Sequence, residues 1–111
     1  MKEIKITIPR WNVEEMTGYT PKTTFWQDFS IADHFGAEAV KDTFNRAFEE
    51  WKTSYIYLTE LVMVLNHKSW QHYQKDEALT NLYIELYEKA DNYAWENLKG
   101  EELNYFYNVT D

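Results

Sequence analysis

Hydrophobic residues are densest between Ser54 and Trp70, where positions 55–65 hold nine apolar residues broken only by Thr59 and Glu60. At about 100° per residue, Leu58, Leu61, Val62 and Leu65 form one stripe, Ile56, Met63 and Trp70 a second face, and Tyr57 and Val64 a third. A helix apolar on nearly every side is buried on nearly every side, so this segment is expected to be the central element. Only Glu60, His67 and Gln71 leave a narrow polar strip along it.

The flanking segments offer cleaner amphipathic patterns. From Ala37 to Trp51, Val40, Phe44, Ala47, Phe48 and Trp51 share one face while Lys41, Asp42, Asn45 and Glu49 share the other. Thr53–Ser54 should break or cap the chain before the central helix. Asp76 opens a third helix whose stripe is Leu79, Leu82, Tyr83, Leu86, Tyr87, Ala90, Tyr93 and Ala94, ending at Lys99–Gly100. Upstream, Ile4, Ile6 and Ile8 alternate with polar residues, which predicts a strand over Lys2–Ile8 closed by Pro9. Residues 10–27 scatter aromatics among Gly18, Pro21 and threonines and read as an ordered arm. Ser30 is placed to cap a short turn with Asp33 at its N3 position and Gly36 as its stop. After Gly100, Leu103, Tyr105, Tyr107 and Val109 alternate as a strand would. Glu101 and Glu102, however, suit the N-terminus of a short helix to Tyr107, the preferred reading. The expected architecture is mainly α and a single domain over 1–111. It has a three-helix core (about 37–51, 54–70 and 76–99), an N-terminal strand and arm over 1–30, and a tail over 100–111.

Two residues break the third helix's pattern. Ile84 and Trp95 lie about 140° and 160° from Leu79, on one line with Glu88 and Asp91. Either the arm or tail covers them, or they form an apolar–acidic–acidic–apolar strip for a partner. Charge sharpens that choice. Residues 1–75 carry ten acidic and nine basic side chains, whereas residues 76–111 carry nine acidic and two basic, a net of −7. Such a field repels phosphate backbones and favours a basic partner. Aromatics make up 18% of the chain, enough for a compact core and equally for an adhesive surface.

Candidate chemistry is sparse. With no cysteine, disulfide scaffolds, thiol catalysis and thiolate metal sites are excluded. No phosphate-binding glycine loop and no G-x-S-x-G motif occurs. Glu60 and His67 share a helix face and could contribute to a ligand site in a bundle. No Glu stands three residues before any His, so the plainer reading is a pair of partly buried polar groups satisfied by Tyr hydroxyls or backbone. His34 and Glu38 are spaced i, i+4, but Gly36 intervenes, and His72 is expected in a loop without a partner. No cofactor or metal is expected. No basic leader precedes an apolar run and no apolar run approaches bilayer length, so the expectation is a cytoplasmic protein without membrane or nucleic-acid binding.

Three stretches carry a resemblance: WQDFSIAD over Trp26–Asp33, LKGEELNYF over Leu98–Phe106, and Trp51–Lys52 followed by LTELVMVLN from Leu58. From about Phe25 onward the chain resembles small uncharacterised proteins carried on mobile elements and prophages of Gram-positive gut bacteria. The resemblance implies an accessory or anti-defence role and brings no functional residues with it. The leading expectation is a non-enzymatic interaction module that uses Ile84, Glu88, Asp91 and Trp95 to bind a basic protein or a second copy of itself. The alternatives are an acidic mimic of nucleic acid and a small helical metal-binding protein or enzyme built on Glu60, His67 and a tyrosine.

Overall fold

The computed structural model describes residues 22–110, which fold into five helices. These are α1 (Phe25–Phe35), α2 (Ala37–Trp51), α3 (Tyr55–His72), α4 (Glu77–Asn97) and α5 (Gly100–Thr110). The expected mainly α class holds, and the predicted strand over 2–8 lies outside the described residues. Several boundaries move: the central helix, expected to end at 70, runs on to His72, and the third ends at Asn97, with Gly100 opening the next helix instead of closing this one. Residues 25–30, expected in the arm and in a capped turn, form the first half of α1, so Ser30 is a buried mid-helix residue rather than a cap. The tail is a helix, and its alternation of Leu103, Tyr105 and Tyr107 places these side chains around α5 rather than on two faces of a strand.

Local chemistry accounts for most of the helix ends. Ser54 and Asp76 are extended residues whose side chains accept from Tyr57 N (3.4 Å) and Leu79 N (3.0 Å), satisfying donors that a first helical turn leaves unpaired. Gly36, at φ 104° and ψ −173°, joins α1 to α2 in a conformation essentially restricted to glycine. The start of α1 is built differently. Thr24 makes no side-chain cap; instead Thr23 Oγ1 accepts from Phe25 N (3.1 Å), and the preceding backbone is held by a residue of α3.

α3 is the centre. Every residue from Leu58 to Leu65 is buried, Thr59 and Glu60 along with the apolar residues around them. Complete burial of Leu58, Leu61, Val64 and Leu65 contributes about 1.5–3 kcal/mol each before chain entropy is counted. α4 packs along α3 through Leu79, Leu82, Tyr83, Leu86, Ala90 and Ala94, while α2 supplies Val40, Phe44 and Phe48. α5 closes the remaining side with Phe106, fully buried, and Tyr55 meets Tyr105 edge to face at 5.3 Å. The second face of α3 is unevenly closed: Met63 is buried and Ile56 half-buried, but Trp70 is 67% exposed beside Tyr73.

Candidate functional site

Three groups of polar side chains stand out, and the most connected joins residues that no local pattern links. At one end of the bundle Asp33 of α1 meets Lys68 and His72 of α3 and Tyr83 of α4. Its Oδ2 accepts from Lys68 Nζ at 2.7 Å and lies 2.8 Å from His72 Nε2, while Oδ1 accepts from Tyr83 Oη at 2.6 Å. Lys68 is fully buried and also donates to Ser30 Oγ at 3.3 Å. The His72 ring lies parallel to the Tyr83 ring at 5.6 Å. His72 was expected in a loop without a partner; it instead ends α3, and the 18-residue helix carries it to Asp33. Burial, then the hydrogen bond to Asp33, then its charge, push the Tyr83 phenol far above the ordinary tyrosine range.

Oδ2 of Asp33 is shared by two side chains and Oδ1 meets a third, so this one carboxylate joins α1, α3 and α4. A buried pair of this kind is costly to break, because removing one partner leaves an uncompensated buried charge.

Glu60, expected as a partly buried group with His67, is fully buried. Its carboxylate accepts from Lys22 N (2.8 Å), Thr23 N (3.1 Å) and the Thr23 hydroxyl, so from 37 residues away it anchors the backbone just ahead of α1. His67 lies two turns along and meets Trp26 in a T-shaped contact, with ring centroids 5.1 Å apart. Burial lowers its pKa. The structure thus divides the two between separate environments, a backbone anchor and an aromatic contact. Glu38 of the His34–Glu38 pair sits beyond Gly36 in α2 and lies 3.6 Å from Lys41. Among the described residues, no group of three His, Asp or Glu side chains is placed to hold a metal ion.

The α4 strip is where apolar surface and charge coincide. Ile84 is 41% exposed and Trp95 47%, with Glu88 exposed and Asp91 half-buried between them. The tail covers Trp95 in part: Phe106 meets it edge-on at 5.7 Å and 89°, and Tyr107, itself 50% exposed, at 6.4 Å and 72°. Asp91 is pushed up by burial and pulled down by a hydrogen bond from the Trp95 indole N–H. Tyr87, beside them, is raised by burial and then by the charges of Asp91 and Glu88. Lys89, the one base within α4, is drawn to the other side and lies 5.7 Å from the ring centres of Phe44 and Phe48. That displacement leaves the strip's charge uniformly negative.

A surface cleft of about 670 Å³ runs between α1 and α2, floored by Ile31, Phe35, Ala39 and Trp51 and rimmed by Asp28, Asp42, Arg46 and Glu50. The sequence holds no signal for it, because its lining residues come from separate segments that only the packing brings together. No helix among the described residues is long and apolar enough to cross a membrane. Comparison of the chain with protein-family models, curated proteins and solved structures finds no match.

Proposed function

We propose that this protein is a non-enzymatic interaction module whose acidic, aromatic surface on α4 and α5 binds a basic protein. The observation that carries the reading is the Ile84–Glu88–Asp91–Trp95 line, with two half-exposed apolar residues flanking two carboxylates and the nearest base of the helix turned away. Large side chains ringed by polar groups are the form that binding hot spots take. Depletion of positive charge on the same face selects a partner of opposite sign and speeds its approach. The resemblance to mobile-element proteins fits an accessory cytoplasmic role of this kind.

The test is retention of a partner by the purified chain and by an Ile84→Ser/Trp95→Ser double variant. Both positions are half-exposed, so the variant should keep its helical circular dichroism while losing the partner. A partner retained equally by both forms, or one without a basic surface, defeats the reading. A second reading, an acidic mimic of nucleic acid, is favoured by the net −7 over residues 76–111. It predicts that binding collapses between low and high salt and survives loss of Trp95, because screening acts on charge and not on apolar contact.

A further inference from the structure

We propose that the corner formed by Trp95, Asp91 and Tyr107 receives an arginine side chain of the basic partner, a deepening that rests on the surface reading above. Two ring contacts hold the Trp95 indole. Phe106 and Tyr107 meet it edge to face, and Asp91 stands one turn earlier on the same side of α4. An aromatic ring fixed in this way is prepaid in side-chain entropy, and nearly half of it still faces solvent.

Asp91 points to a cation. Its carboxylate is half-buried, and among the described residues no Lys or Arg pairs with it or with Glu88. Lys89 is engaged over the rings of α2, and Lys99 Nζ lies 3.5 Å from the Glu96 carbonyl. Burial raises the Asp91 pKa, the Trp95 indole pulling the other way.

Arginine fits this corner better than lysine. A guanidinium is planar and weakly hydrated, so it can lie against the indole while its edge donates to a carboxylate one helical turn away. An ammonium is a strongly hydrated point charge and must give up more water for the same place. Ile84 lies eleven residues before Trp95, about 16 Å along the helix. The partner segment therefore carries an apolar residue about three helical turns from its arginine, with room between for bases facing Glu88.

Indole N–H resonances of the five tryptophans offer a direct readout, with Trp95 assigned by its loss in Trp95→Phe. N-acetyl-arginine amide and N-acetyl-lysine amide are titrated into the full chain at low salt. The expected result is a saturable shift confined to the Trp95 indole, at least threefold weaker in half-saturation for the lysine probe. Asp91→Asn should weaken the arginine response at least fivefold with the other four indoles unmoved. An unmoved Trp95, equal response to both probes, or an unchanged response in Asp91→Asn overturns the proposal. The two layers separate cleanly. A silent Trp95 with partner retention still dependent on Ile84 and Trp95 removes the arginine pocket and keeps the surface. Arginine binding with retention indifferent to both residues does the reverse.

Discussion

Replacing Asp33 with Asn is the sharpest test of the clamp at the end of the bundle. The substitution keeps the side chain's size and one acceptor oxygen, so its main effect is to remove the charge that faces Lys68 Nζ at 2.7 Å. Lys68 has no solvent to turn to, and its other partner is the neutral Ser30 hydroxyl at 3.3 Å. An uncompensated buried charge of this kind costs about 3–5 kcal/mol. For a chain of this size that corresponds to a fall in Tm on the order of 10–20 °C. Lys68→Met removes the cation instead and leaves Asp33 with Tyr83 and His72 as donors. Its cost should be smaller, about 1–2 kcal/mol. Because Asp33→Asn strands the Lys68 cation and the double variant no longer holds that cation, the cycle should show a coupling of about 2–3 kcal/mol. Urea unfolding followed by circular dichroism at 222 nm measures all four stabilities. If Asn at position 33 costs less than about 1 kcal/mol, or the two changes add within about 0.5 kcal/mol, the clamp contributes little and the packing around it holds α1 in place.

Other consequences are quicker to check. Tyr83, raised far above its ordinary value by burial and Asp33, should stay protonated in the fold beyond the pH at which exposed tyrosines ionise. A folded-state pKa raised in this way supplies stability that is complete below about pH 10 and is lost as pH climbs toward the folded value. Ultraviolet titration should show one phenol that ionises only with unfolding, and Tyr83→Phe should abolish that late step; nine tyrosines titrating together would count against it. His67 has the opposite sign. Its pKa is lowered by burial, so its contribution is present above the ordinary histidine value of about 6.5 and is lost as pH falls through the folded value. Proton NMR should find its ring titrating below the ordinary histidine midpoint, and His67→Gln should flatten the acid side of the stability curve. Gly36→Ala should cost about 1–3 kcal/mol through backbone conformation alone, since nothing lies within 4 Å of the added methyl; a neutral result in thermal melts would mean that the α1–α2 junction relaxes freely.

What the sequence determined by itself is the set of helices whose apolar stripes are continuous, and where they start. The span Ala37–Trp51 is recovered residue for residue, Ser54 and Asp76 act as the caps their side chains suit, and the all-round apolar pattern of Leu58–Leu65 correctly marks the element that everything else surrounds. These features are legible because periodicity, capping chemistry and the conformational freedom of glycine act over one or two turns. The tertiary structure decided the rest. Phe25–Ser30 becomes helical beside a carboxylate 37 residues away that binds the chain just ahead of it. His72 reads as a loop residue without a partner until Asp33, 39 residues before it on α1, and Tyr83, 50 residues after Asp33 on α4, meet at the end of α3. A pattern along one helix records which face is apolar and cannot record what stands opposite it. The same limit applies to Trp95. The sequence placed it off the core stripe with Ile84, but only the docking of α5 decided that half of it would stay in solvent, held by Phe106 and Tyr107, beside a carboxylate without a cation.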